Sequence, residues 1–445
     1  MAKTRIQLSD HFTYKRLIRF VLPSIIMMIF TSVYGVVDGL FVSNYAGKAA
    51  FAAVNLIMPV PVLLGALGFM LGTGRSAIVA KTLGEGKKGL ANQYFSMLVV
   101  VAFIGAAVLA VMGVILMRPL AVLLGADGEM LGYCVTYGRI ILISLPFFAL
   151  QNIFQSFLVT AERPSLGLKV TIAAGVTNMV LDFLFVGVLR LGVVGAGTAT
   201  VISEIVGGCV PLIYFLRPNT SLLRLQRPKI AWRILGHACA NGSSELMSNI
   251  SMSLVNMLYN IQLMRFAGEN GVAAYGTIMY VNFFFVAVFI GYSIGTAPVV
   301  GFHYGAQNQE ELRNVFRKSL RLIFFAGIAM TVLGLLLSGV LAKVFVGYDS
   351  ELMELTKRGF RIYCSAFLIM GFNIYGSAFF TALGSGLVSA LISFLRTLVF
   401  QVMAVLLLPV FLGLDGIWLA ILAAELLALI VTGSLLAGRR KKYHY

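Results

Sequence analysis

The chain has 445 residues, 59% of them hydrophobic and only 11% charged, with a mean hydropathy of +0.93 and a formal net charge of +17. A soluble domain carries about a quarter charged residues, so a soluble globular fold is excluded. A membrane β-barrel is excluded too, because its strands read as alternating segments of about 10 residues. The positive charge does not indicate nucleic acid, since the basic residues punctuate apolar runs rather than forming a patch with interleaved aromatics.

The opening MAKTRIQLSDHFTYKRLIRF lacks a short apolar core followed by a small-residue cleavage site, so the first span is expected to direct insertion itself. Apolar runs of about 20 residues, enough to cross a bilayer, then recur to the end. Twelve spans are predicted, over 17–43, 50–74, 93–117, 131–159, 169–189, 193–216, 234–263, 272–299, 320–342, 358–382, 387–411 and 416–438. The fold class is therefore an all-α polytopic membrane protein. The two ends and the even-numbered loops hold 25 of the 34 Lys and Arg, Arg396 counted among them. The positive-inside rule then puts both termini in the cytoplasm. Cys134, Cys209, Cys239 and Cys364 have no paired spacing, so neither a disulfide framework nor a metal site is expected.

Five carboxylates interrupt the apolar runs. Asp38 stands in "TSVYGVVDGLFVSNYAG", about 30 Å up its helix from Ile18. A charged carboxylate at a helix centre costs about 3 kcal/mol on an insertion scale, so each is expected to be protonated, paired, hydrated or functional. Span 5 carries Asn178 and Asp182, four apart on one helix face. Span 6 adds Thr198, Thr200 and Glu204. These oxygens could bind a proton or a hard cation such as Na⁺, with Asp38, Asn178, Asp182 and Thr200 as ligands. Alternatively Asn178, Asp182 and the threonines are polar glue between helices, worth about 0.6 kcal/mol per contact. Glu245, in "HACANGSSELMSNISMSLVNML", sits among small hydroxyl-bearing residues and reads equally well as structural or as part of a substrate or second ion site.

The chain also repeats itself. "NIFQSFLVTA" at 152–161 matches "NIYGSAFFTA" at 373–382, an offset of 221 residues. The same register pairs Ala46-Gly47 with Ala267-Gly268, Gly74 with Gly295, Gly84 with Gly305, Gly192 with Gly413, and Glu204 with Glu425. That last equivalence favours a shared structural role for the two glutamates. Two six-helix halves are expected, 1–216 and 234–445, joined by a basic linker over 217–233. Six is an even number, so the halves insert in one orientation and are related by a pseudo-twofold axis along the membrane normal.

The motifs "PSIIMMIFTSVYGVVDGLFV", "AAVNLIMPV", "LGTGRSAIVAKTLGEGKK", "TNMVLDFLFV", "GAGTATVISE" and "IGTAPVVGFHYGAQNQEELRNVF" occur in order along nearly the whole chain. In this combination the sequence resembles the multidrug and toxic compound extrusion (MATE) transporters. The resemblance implies paired six-helix bundles exporting organic, often cationic and amphipathic compounds against inward flow of H⁺ or Na⁺. It places the family's ion-coupling residues on Tyr34, Asp38, Asn152, Asn178, Asp182 and Thr200, with the acidic position of span 7 at Glu245. Span 10, "RIYCSAFLIMGFNIYGSAFF", lacks the aspartate of branches with a second cation site, which favours coupling in the first half.

The expected function is cation-coupled antiport of small organic compounds, without a cofactor, in the cell membrane and as a monomer. The alternative is a lipid-linked oligosaccharide flippase of the same superfamily. An enzyme is not expected: the four histidines lie at ends or loops, and no Walker motif appears.

Overall fold

The computed structural model describes every residue except 1–5, 46–47, 229–230 and 348, together with all side chains apart from those of 39–40, 43–44, 48–49, 51–52, 55, 66–75 and 345. The repeat pair member Ala46-Gly47, the basic residues Lys3, Arg5 and Lys229, and the side chain of Arg75 thus lie outside the described residues.

The described chain is helical, with no strand. Its helices are α1 (Tyr14–Tyr45), α2 (Lys48–Ile57), α3 (Pro59–Gly84), α4 (Lys88–Leu123), α5 (Gly128–Thr160), α6 (Pro164–Asp182), α7 (Gly192–Leu216) and α8 (Trp232–Gly305). They continue with α9 (Gln309–Val346), α10 (Ser350–Cys364), α11 (Phe367–Ala382), α12 (Gly386–Phe394), α13 (Phe400–Leu412) and α14 (Leu414–Tyr443). Nine helices among the described residues are long and apolar enough to cross a membrane, and α10 with α11, bent by 50°, make a tenth span. Helix α8, 74 residues long, holds two predicted spans and breaks at Gly268, whose φ of 59° and ψ of −150° no side-chain-bearing residue adopts comfortably. Helices α2 and α3 cover the predicted span 50–74. All twelve predicted spans are therefore helical.

Two spans each contain a π-helical stretch: Phe183–Val188 directly after Asp182, and Leu395–Val399 between α12 and α13. Such wide turns occur most often at functional sites. Helix α5 is the most enclosed, buried along most of its length among α2, α3, α4, α6 and α7. Helix α4 instead presents Ile115 and Leu123 outward, as lipid-facing helices do.

The internal repeat is visible in a reciprocal contact. A β-carbon on Gly84 would collide with the Phe302 carbonyl oxygen, and one on Gly305 would collide with that of Lys81. Gly84 and Gly305 are repeat mates, as are Lys81 and Phe302, so the same patch meets itself across a twofold-like axis. Nearby, a β-carbon on Gly291 would lie 2.5 Å from Ile25 Cα, and one on Gly295 would lie 2.9 Å from Val21 Cβ. Backbone thus meets backbone where α1 and α3 cross the end of α8, on the face that carries both termini. The two halves are closed against each other there.

The segment 6–13 is strapped across that closure. Leu8 N donates to Glu162 Oε1 (2.7 Å) in the turn after α5. Phe12 N donates to Glu311 Oε1 (2.8 Å) in the first turn of α9, while Asn314 and Lys318 donate to Phe12 O (3.1 and 2.7 Å). Leu8 and Phe12 are fully buried. One end of the strap is therefore held by the first half and the other by the second.

Candidate functional site

The first half gathers its acids on three helices. Asn178 and Asp182 share the buried face of α6 that the four-residue spacing requires. Asp182 is fully buried, and neither of its carboxylate oxygens has a hydrogen-bond partner among the described side chains. Its neighbour is Asp38 of α1, the two carboxyls lying close enough to share a hydrogen bond once one is protonated. Asp38 Oδ1 and Asn178 Oδ1 are likewise buried without a donor. Asn178 Nδ2 points at Thr200 Oγ1 on α7, 3.5 Å away, and Thr200 itself donates to Ala196 O at 3.1 Å.

Tyr34, one turn before Asp38, is directed to Gln151 of α5 and lies near Glu204 of α7. Glu204 in turn meets Ser144, and its Oε2 is buried without a partner. Sequence reasoning left out three members of this set, all on α5: Tyr137, Ser144 and Gln151. The Tyr137 hydroxyl, fully buried and unpartnered, is within electrostatic reach of Asp38, Asp182 and Glu204. Uncharged polar residues in an apolar run carry no sequence signal, and only the tertiary packing selects them. Thr198 bonds its own helix through Val194 O, at 2.7 Å.

The structure thus brings together Tyr34, Asp38, Asn178, Asp182 and Thr200. It sets Asn152 apart, on the wall of a separate cavity of about 350 Å³ that reaches from Met28, Ser76 and Gln155 into the second half. Glu245 lines the same cavity, with Tyr259, Tyr275 and Tyr363. Tyr259 and Tyr275 stack with ring centres 4.9 Å apart.

One expectation is corrected here. Arg396 does not belong to the basic residues of the terminus face. It stands near the middle of the 27-residue span 386–412, where its Nε donates to both oxygens of Glu425 (2.8 and 3.1 Å) and its Nη2 lies 2.8 Å from Oε1. The repeat-related Glu204 and Glu425 each meet a polar group of their own half, but they differ in charge compensation. Glu425 is fully buried in this ion pair with Asn373 as a further donor, whereas Glu204 has no cation among the described residues.

No group of three or more His, Cys, Asp or Glu with metal-holding geometry occurs among the described residues. A Na⁺ ion would therefore draw on the amide and hydroxyl oxygens of Asn178 and Thr200 beside the two aspartates. Unpartnered oxygens of Asp38, Asp182 and Asn178 fit that donor chemistry, hard oxygen for a hard ion.

A chain with two internally repeated six-helix halves, a closed terminus face, a buried acid cluster and a central cavity belongs to the class of polytopic membrane proteins built from parallel repeats. The MatE family model matches it twice, over residues 23–184 and 246–406, once in each half; the chain belongs to the MatE family. The "Multidrug export protein MepA" of Staphylococcus saprophyticus is 23% identical over 415 residues, 93% of this chain and 91% of that one. A crystal structure of "MATE in the straight conformation" superposes with a TM-score of 0.93 at 24% identity, covering 100% of this chain and 99% of the other. A structure described as the outward-facing conformation of a multidrug resistance MATE family transporter is 25% identical, with a TM-score of 0.90 and the same coverages.

Proposed function

We propose that this protein is a secondary active exporter that moves small organic, amphipathic and cationic compounds out of the cell in exchange for H⁺ or Na⁺. The observation that carries the reading is the facing pair Asp38 and Asp182, whose buried oxygens, Oδ1 of Asp38 and both of Asp182, meet no donor among the described residues. The excess of Lys and Arg on the terminus face supports a cytoplasmic location for both termini, and the likeness to a bacterial export protein supports the cytoplasmic membrane. In that orientation the closed terminus face faces the cytoplasm, and the described state is the one closed inward. Its likeness to an outward-facing relative supports this.

The cycle follows from solvation. Two ionised carboxylates cannot both stay buried side by side, because burial and like charge each favour the neutral form. A proton or Na⁺ arriving from outside relieves the like charge of the pair, so the outward cleft can close around it and release cargo. Release of the ion inward restores the charge and favours a cationic substrate. Such a cycle requires ion and substrate to bind the two states with different affinity. The test is uphill export of the cationic dye rhodamine 123 by proteoliposomes, driven by an imposed pH gradient and separately by an imposed Na⁺ gradient. Asp38→Asn and Asp182→Asn are each expected to abolish the gradient-driven component, by tenfold or more on the scale of typical coupling energies, about 1–3 kcal/mol. Coupling that survives in both variants refutes the reading.

A further inference from the structure

The export reading leaves one charged group of the central cavity unused. Arg396 lines that cavity while Glu425, its partner, is sealed behind it with no exposure. The bonds to Glu425 run through Nε and one side of Nη2. The N–H groups of Nη1 and the other side of Nη2 have no protein acceptor among the described residues. Arginine has five donors in a fixed fork and is never deprotonated. Donors left open on the cavity wall are met by water or by a ligand that offers an acceptor. Asn373 donates to Glu425 rather than accepting from Arg396, so the protein itself orients the guanidinium with its open edge toward the cavity.

The rest of the wall has complementary chemistry. Glu245 is the cavity's other charged residue, and stacked Tyr259 and Tyr275 with Tyr363 supply flat apolar surface. Pairing with Glu425 accounts for one edge of the Arg396 guanidinium; Glu245 alone would suffice for a simple cation, which would leave the other edge without a partner in the cavity. We propose that the cavity is a two-point site for aromatic zwitterions, with Arg396 taking the carboxylate of the substrate and Glu245 its cationic centre. The assignment rests on the export reading and specifies its substrate class. A zwitterion meets a fixed opposite charge at each end and leaves the net charge of the cavity unchanged. The volume of about 350 Å³ lies at the lower end of the range for small-molecule pockets, roughly 300–1,000 Å³.

The matched probes are rhodamine 110, a zwitterion, and rhodamine 123, its methyl ester and a monocation. Binding of each to the purified full chain is read by fluorescence anisotropy. Arg396→Gln alone strands Glu425, so the principal variant is the double replacement Arg396→Gln with Glu425→Gln, which removes the pair together. The ratio of the two dissociation constants should shift toward rhodamine 123 by about tenfold or more, the worth of one charge-assisted bond pair. Arg396→Lys keeps a cation beside Glu425 and should give an intermediate ratio. Glu245→Gln should weaken both dyes. A ratio that stays within about twofold of the wild type in both Arg396 variants overturns the assignment. Export of rhodamine 123 is followed in parallel. Normal export with an unmoved ratio sinks this inference alone, whereas a wild-type chain that neither binds nor exports either dye sinks the export reading with it.

Discussion

Asn152, Gly175 and Glu204 in the first half stand 221 residues before Asn373, Arg396 and Glu425 in the second. In the second half the three close into one unit. Arg396 and Asn373 both donate to the Glu425 carboxylate, which is wholly buried. In the first half the arginine is replaced by glycine, and the space is taken by α1. A β-carbon on Gly175 would lie 2.5 Å from Phe30 Cε1 and 2.9 Å from Tyr34 Cδ1. The Asn152 amide nitrogen and Glu204 Oε2 are both left without hydrogen-bond partners among the described residues. One duplicated scaffold therefore holds a neutralised acid on one side and unneutralised acids, Asp38, Asp182 and Glu204, on the other. A single cation decides whether a buried carboxylate is a fixed strut or a group free to bind a proton or Na⁺.

The sharpest way to break this comparison is to make the same substitution in both halves. Glu425→Gln leaves Arg396 as an unpaired charge inside the protein, and removing one partner of a buried pair typically costs about 3–5 kcal/mol. Glu204→Gln removes an acid that has no cation to strand, so its effect on stability should be near zero or favourable. Thermal unfolding of the detergent-purified variants, read against the wild type, should separate them by roughly 6–20 °C in apparent midpoint, at about 2–4 °C per kcal/mol. Equal destabilisation would mean that Glu204 has a partner equivalent to Arg396, and the contrast would disappear.

A smaller effect is expected at the reciprocal glycine contact. Gly84→Ala or Gly305→Ala inserts a methyl group against a carbonyl of the opposite half, in a place where neither backbone can yield without parting the halves. Overpacking costs about 1–3 kcal/mol, and here the cost falls only on the state in which the terminus face is closed. The population of that state should fall by roughly 5–150-fold relative to the other. Spin-label distances across the terminus face would register this as a shift to longer separations. The two variants should behave alike, because the contact is the same contact viewed from each half. Unequal responses would show that the pseudo-twofold is broken at this level.

Much of this organisation was legible before any coordinates. Asp38 and Asp182 stand out because a carboxylate inside an apolar run is costly, and the structure puts them side by side. The break near Gly268 falls in the gap between the spans predicted at 234–263 and 272–299. Arg396 was misplaced because counting Lys and Arg for topology treats each as a loop residue, although this one lies ten positions inside the predicted span 387–411. The repeat register offered a correction: Arg396 aligns with Gly175, a mismatch that a terminus-face position would not explain. Tyr137, Ser144 and Gln151 were beyond reach. Nothing in composition distinguishes a tyrosine that faces three acids from one that packs against lipid. The π-helical stretches after Asp182 and around Arg396 are also silent in sequence, since the apolar pattern of a span does not distinguish an i→i+5 turn from an i→i+4 one.

The least costly contact to break is the amino-terminal strap, and it bears on the same comparison because it is bonded to each half by a carboxylate, Glu162 in the first and Glu311 in the second. Burial pushes the Glu311 carboxyl up, yet the Phe12 N–H, the Asn314 amide and His11 outweigh it and hold the group below the ordinary glutamate value. Glu311 lies in the first turn of α9, before the predicted span at 320–342, and so on the terminus face rather than in the membrane. A carboxyl held low binds its proton less readily when strapped than when released. The strap is therefore fully held above the ordinary glutamate range and loosens as pH falls through the lowered value. Glu311→Gln should mimic that loosening, since the neutral amide still accepts from Phe12 but loses charge assistance, about 1 kcal/mol. With Leu8→Cys as a reporter in the full chain, maleimide labelling should speed up several-fold in the Glu311→Gln background. In the Glu311-intact chain it should also speed up as the pH is lowered toward 4, measured with a correction for the thiolate fraction of a free-thiol control. Release of the strap must accompany any parting of the halves on this face, so Gly84→Ala should expose the same cysteine at neutral pH without protonation. If the glycine variant separates the halves while Leu8→Cys stays protected, the strap follows one half alone and does not span the closure.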